Sequence, residues 1–413
     1  MKVFWSALFL AAWLGTGAQE YDLLIKNGHL IDAKNQLDQP MDVAVHEGKI
    51  AAVAANIPAE KAAKVVDATG LYVVPGLIDM HVHVFHGTHQ DQYISNSFTS
   101  LPPDGFTFRH GVTTVVDAGS AGWRNFKTFR EQTIDNSRTR VLAFINIVGW
   151  GMKGGAVEQN LGDMDPKLTA IVARQNSDVI VGTKLAHYSG PEWAPLERTV
   201  EAGELAGGIP AMIDFGGSNP PLSIETLLLE KLRPGDIYAH CYAHVRGRMP
   251  VVDENGKVRP CVLEAQKKGV LFEVGHGGGS FVYEQALPAM EQGFLPDMIS
   301  TDLHTGSMNA GMKDMLNVMS KFLNMGMPVQ EVVARSTWMP AVHLNREELG
   351  HLSVGAGADI ALLNLRAGDF GFTDVRGYKV HGNQKLECEL TLRDGTVVWD
   401  LNGISMEEWE AGN

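Results

Sequence analysis

The chain has 413 residues, enough for one large domain and a small one. Hydrophobic residues make up 45% and charged residues 20%, which excludes a disordered or fibrous chain. A formal net charge of -14, with no basic stripe, argues against a nucleic-acid partner and leaves the substrate open.

Residues 1–18 read as a secretory signal peptide. Lys2 supplies the positive start, Val3 to Leu14 the apolar core, and Thr16-Gly17-Ala18 the small residues at which cleavage occurs. The apolar run is too short to span a bilayer, and no later segment qualifies as a membrane span. The expectation is therefore an exported protein, secreted or periplasmic. Cys241, Cys261 and Cys388 form no CxxC and no disulfide framework, and their odd number leaves at least one thiol free.

Residues 19–70 carry short strand patterns, DLLIKNGHLID and MDVAVHEGKIAAVA, with turn signals at Asn27–Gly28 and Glu47–Gly48. Residues 346–413 repeat the pattern in LSVGAGADIALLNL and LECELTLRDGTVVWD, with Asp394–Gly395 as a hairpin turn. The two ends are expected to fold together into one small β domain. Between them, residues 71–345 alternate apolar strand-like runs with helical stretches such as NFKTFREQTID, IETLLLEKL and the run from Gly311 to Leu323. The strand candidates are YVVPGLID, VTTVVDAG, RVLAFINIV, DVIVGTK, IPAMIDFG, DIYAHC, VLFEVGHG and DMISTDLH. Eight βα units is the count of a closed barrel.

Barrel chemistry sits at the carboxyl ends of the strands. Those ends carry His81 and His83, Asp117, Lys184, Asp214, His240, His276 and Asp302. In Leu71–His83, reading LYVVPGLIDMHVH, an extended backbone places His81 and His83 on one face with Asp79 behind them. Two imidazoles so spaced can chelate one metal ion. Lys184 closes an apolar strand, where an ammonium is costly unless it is neutralised or paired. Asp117 reads as structural. The glycines of VGHGGGS lack a following GK[ST], so they form no phosphate loop; they allow close backbone approach. His276 among them reads as a substrate contact, and Arg246 and Arg248 as solvated loop cations. The Gly355–Gly357 pair opens no βαβ unit, so a dinucleotide site is not expected.

The stretch PGLIDMHVH after an apolar strand resembles the first metal motif of the amidohydrolase superfamily. Its members are metal-dependent hydrolases on a (β/α)8 barrel. The resemblance implies an α/β fold: a (β/α)8 TIM barrel over residues 71–345, and a small β-sandwich domain formed from both chain ends. It implies that Lys184, at the end of strand four, is carboxylated and bridges two metals. His240 matches the strand-six metal ligand. Asp302 matches the strand-eight carboxylate that ligates metal and shuttles a proton. Asp214 stands where many members carry a metal-binding His, a departure that still offers a ligand oxygen. The implied cofactor is zinc, two ions per chain, with manganese or cobalt tolerated.

The runs DMHVHVFHG, LRPGDIYAHC and VGHGGGSF look like the bacterial deacetylase branch, whose members are often labelled dihydroorotase-like. That resemblance implies removal of an acyl group, acetyl first among them, from a small N-acyl amino acid or related amide or ester by a metal-bridged hydroxide. True dihydroorotases usually carry an Arg just after HxH, where this chain has Val84-Phe85-His86. Cyclic amidase or dipeptidase activity is therefore the alternative, and a non-catalytic metal-binding relative the third reading. The partner is a small acylated molecule; a homo-oligomer is left open.

Overall fold

A computed structural model of the chain describes residues 19–87, 97, 99–215 and 217–409. Residues 1–18, over which a signal peptide is expected, lie outside the described residues.

Two sheets organise the molecule. The first joins both chain ends. It contains β1 (Tyr21–Asp32), β2 (Leu37–His46), β3 (Lys49–Ala54), β4 (Ala62–Asp67) and β5 (Tyr72–Pro75). The second begins immediately afterwards with β6 (Leu77–Val82) and continues through β7 (Val112–Gly122), β8 (Arg140–Asn146), β9 (Ile180–Ala186), β10 (Ala211–Asp214), β11 (Ile237–Tyr238) and β12 (Leu271–Phe272). The chain then returns to the first sheet with β13 (Ile360–Thr373), β14 (Lys379–Arg393) and β15 (Thr396–Asp400).

The terminal sheet has eight strands in one hydrogen-bonded array, β15-β14-β13-β5-β1-β2-β3, with β4 paired to β1. The antiparallel pairing of β5 with β13, Val74 opposite Ala361, ties the amino end to the carboxyl end. Leu23, Ile25, Val43, Val73, Ile360 and Leu390 share one buried cluster. The turn signals at Glu47–Gly48 and Asp394–Gly395 form tight hairpins, each with two successive left-handed residues, φ 49° and 76°, then 47° and 74°. Asn27–Gly28 does not. It makes a bulge inside a continuous β1, because Gly28 lies so close to Val73 that a Cβ there would overlap that side chain.

The second sheet is seven-stranded and entirely parallel, in the order β12-β11-β10-β9-β8-β7-β6. Helices run between its strands, among them Phe126–Gln132, Pro166–Gln175, Ala194–Leu205 and Pro260–Lys268. Pro166–Gln175 starts on Asp165, whose carboxylate accepts from the Lys167 and Leu168 N–H groups, with Pro166 in the first turn. Residues 298–303 touch both edges of the sheet. Met298 bridges in parallel to Glu273 just past β12, and Leu303 to Val82 of β6. Met80, Val116, Phe144, Met212, Ile237 and Met298 pack together inside the curled sheet. A larger apolar layer outside it lies against the helices.

The candidate strand YVVPGLID is therefore two strands in two sheets, separated at Pro75–Gly76. A side chain on Gly76 would overlap Thr113 of β7, so the join tolerates only glycine. Gly76→Val should cost about 2 kcal/mol or more through overpacking at this join. Chemical denaturation would register it as a lower midpoint; an unchanged midpoint contradicts the close approach.

Candidate active site and metal centre

The carboxyl ends of the parallel strands meet over a cleft of about 100 Å³. His81, His83, Lys184, Asp214, His240 and Asp302 all line it. His81, His240 and Asp302 each offer one ligand atom, and these atoms lie within 4.8 Å of one another.

Each of the three imidazoles is fixed through its Nδ1. His81 Nδ1 lies 3.2 Å from both oxygens of the buried Glu273 carboxylate. His83 Nδ1 lies 3.0 Å from Ser120 Oγ. His240 Nδ1 donates to the Gly275 carbonyl at 2.6 Å. The opposite ring nitrogens face the cleft: His83 Nε2 is 3.1 Å and His81 Nε2 3.7 Å from Asp302 Oδ1, and His240 Nε2 is 3.4 Å from Asp214 Oδ2. An imidazole held at one nitrogen with the other turned to a shared space is the arrangement of a metal ligand. Ser120 is itself placed by Asp117, which accepts from its N–H at 2.7 Å and from the Val84 N–H at 2.8 Å, so Asp117 is structural as expected.

Backbone strain gathers at the same place. His187, His240 and Asp302 all have left-handed backbones, at φ 59°, 56° and 52°. For non-glycine residues such conformations cost of order 1–3 kcal/mol each, and they persist where surrounding structure imposes them. The glycines after β12 serve this geometry: a Cβ on Gly277 would come within 2.5 Å of Asp302 Oδ2.

Lys184 is fully buried, and its Nζ has no hydrogen-bond partner among the described residues. Burial lowers its pKa, against the opposing charges of Asp214, Glu273 and Asp302. Gly119 gives the stem room, since a Cβ there would lie 2.6 Å from Lys184 Cγ. For Asp302, burial alone would raise the pKa, but the neighbouring His81, His83 and His240 outweigh it and hold the carboxyl well below its usual range. Burial likewise opposes ionisation of Asp214, and is outweighed by His240, Arg248 and His187.

The donor set fits a divalent metal centre. It combines neutral-capable imidazoles, ionised carboxylates and a buried amine with no partner, which carboxylation would turn into an anionic oxygen ligand. The residues that would hold the ions are His81, His83, Lys184, His240 and Asp302, with Asp214 beside them.

Several positions depart from the sequence-based expectations. Asp79 does not share the face of His81. The pairing of β6 with β7 shifts register between Asp79 and Val82, so Met80 and His81 both turn inward and Asp79 turns outward. There its carboxylate accepts from Thr301 N–H at 3.0 Å and Thr301 Oγ1 at 2.5 Å, and burial pushes its pKa up to about 7. Arg248 is not a solvated loop cation. It is 8% exposed, pairs with Asp214 Oδ1 at 3.0 Å, donates to the Ala239 carbonyl at 2.6 Å and lies 4.4 Å from the Tyr238 ring centroid. His276 is not brought to the cleft. It is buried, stacked on Phe281 at 4.6 Å, and its Nε2 accepts from Lys321 Nζ at 2.6 Å.

Sequence reading missed His187 and His304, which also line the cleft. His187 Nδ1 lies 2.7 Å from Glu158 and its Nε2 3.6 Å from Asp214. Desolvation opposes its charge, but the Glu158 hydrogen bond and the Asp214 charge raise its pKa to about 9. His304 Nε2 is 3.8 Å from Asp302. The signal for both was available: each follows a candidate ligand, Lys184 or Asp302, by two or three residues at a strand end.

Parallel strands whose ends converge on imidazoles, carboxylates and a buried lysine form a candidate metal site. The amidohydrolase family model matches residues 282–398. The chain is 35% identical to a deacetylase of Agrobacterium fabrum over 340 residues, covering 80% of each protein. The crystal structure of an adenine deaminase superposes with a TM-score of 0.82 at 28% identity, over 92% of this chain and 100% of that one. That of a dihydroorotase gives 0.80 at 29% identity, over 92% and 99%. The protein belongs to the amidohydrolase family and is a hydrolase enzyme.

Lys184→Ala should bind less zinc than the wild type, and Glu273→Gln should weaken metal affinity by about 10–100-fold by freeing His81 to turn. Elemental analysis after equilibrium dialysis reads both. Wild-type metal content in Lys184→Ala refutes a bridging role for the lysine.

Proposed function

We propose that the protein is a metal-dependent deacetylase that removes an acetyl or similar acyl group from a small N-acyl amino acid or related amide or ester. The observation that carries this reading is the buried, unpartnered Lys184 amine among Asp214, Glu273 and Asp302. Burial favours its neutral form, which is the form that adds carbon dioxide and releases a proton to become a carbamate. The name of the Agrobacterium relative supports the acyl-transfer class. The same reading takes the curled sheet as a (β/α)8 barrel closed by residues 298–303 and the terminal sheet as a sandwich domain.

His81, His83, Lys184, His240 and Asp302 would hold zinc, two ions per chain, with manganese or cobalt as substitutes, and the bound metal would supply positive charge to acidify a water and polarise the acyl carbonyl. The protein's own part is placement and proton transfer. Asp302, ionised and held at the cleft by His83, accepts a proton at its carboxylate and returns it to the leaving group.

Hydrolysis of a cyclic amide is the second reading, favoured by the likeness to a dihydroorotase structure. Turnover of N-acetyl amino acids and acetyl esters, set against hydantoins, dihydroorotate and β-aspartyl dipeptides, separates the two. Exclusive turnover of ring substrates overturns the first. Asp302→Asn should lower kcat by about 10²–10⁴-fold with circular dichroism unchanged, and a near-normal rate removes its proton role. The signal-like segment 1–18 supports export: protein recovered from the periplasm should begin at Gln19, and an intact Met1 there contradicts cleavage.

A further inference from the structure

A second, larger cavity of about 360 Å³ lies on the outward side of β6, away from the cleft. This volume falls within the range of small-molecule sites, about 300–1,000 Å³. Its apolar wall comes from Phe106, Val112, Leu303, Met308 and Met315. Its inner end is formed by Asp79 and Thr301, which are 2% and 1% exposed. Four charged or titratable residues complete it: Arg109, His110, Lys313 and Asp314.

His110 Nε2 lies 3.6 Å from Asp314, whose carboxylate also accepts from the Asn317 N–H. The Asp79 carboxylate is engaged by the Thr301 N–H and hydroxyl. Arg109 and Lys313 remain. Both are exposed at the mouth, and among the described residues neither takes part in an ion pair. Arg109 lies 5.7 Å from the Trp399 ring centroid, and Lys313 is held in a left-handed backbone at φ 65°. Two cations on one cavity, neither with an ion-pair partner among the described residues, stand out in a chain of net charge -14.

We infer that this cavity is a binding site for a small organic carboxylate with an apolar body, separate from the reaction site. The apolar wall takes the body, and Arg109 and Lys313 take the carboxylate. The site and the cleft are opposite faces of the same two chain segments. Thr301 precedes Asp302, and Asp79 lies two residues before His81. A ligand that presses on Asp79 and Thr301 therefore acts on the backbone that carries two cleft residues.

Benzoate is the probe, titrated calorimetrically into the metal-loaded full-length protein. Saturable binding is expected with a dissociation constant on the order of 1 mM or tighter. The double variant Arg109→Gln, Lys313→Gln should bind about tenfold more weakly, with kcat and KM in the absence of benzoate unchanged. Crystals soaked in 4-bromobenzoate should show anomalous bromine signal beside Met315. No saturable binding, wild-type affinity in the double variant, or bromine signal confined to the cleft would each overturn the inference.

Discussion

The active site depends on a charge problem at one nitrogen. Lys184 Nζ is buried without a hydrogen-bond partner among the described residues, yet Asp214, Glu273 and Asp302 are all close enough to perturb it. An unpaired ammonium in such a place is costly, and so is a cluster of carboxylates with nothing to balance it. Divalent ions held among the strand ends would balance the carboxylates, and carboxylation of the neutral amine would remove the ammonium and add an anionic oxygen donor. The parallel sheet and the segment 298–303 together bring six side chains from five segments into one space of about 100 Å³.

The remaining precision comes from residues that never reach the cleft. Glu273, Ser120 and the Gly275 carbonyl each take one imidazole nitrogen, so that the other faces inward. The register shift in β6 turns His81 inward, where strict alternation would leave it opposite Met80. Left-handed backbones at His187, His240 and Asp302 are part of the same arrangement. These features trade local conformational comfort for geometry, as preorganised sites do.

Much of this was legible in the amino-acid order, for definable reasons. Apolar runs ending in His, Lys or Asp mark parallel strands with functional ends, and the ligand candidates His81, His83, Lys184, Asp214, His240 and Asp302 all line one cleft. Errors arose where a local pattern was overridden by something distant. Asn27–Gly28 looked like a turn, but Val73 from another strand makes the glycine a packing requirement. A period of two puts Asp79 on the face of His81, and a bulge breaks that period. Arg248 sits in a loop without periodicity, so nothing in its neighbourhood announces burial beneath Asp214. His276 was judged by its glycine-rich surroundings, whereas its partner Lys321 lies 45 residues further along.

The pairing of Arg248 with Asp214 has a consequence for the charge of the whole centre. A carboxylate where many members of the superfamily carry an imidazole adds one negative charge. The guanidinium 3.0 Å behind it returns one positive charge, fixed by Tyr238 and the Ala239 carbonyl. Together they behave electrostatically as a composite neutral donor. Removing either side chain alone would strand a full buried charge at the edge of the cleft, whereas removing both would leave its net charge unchanged.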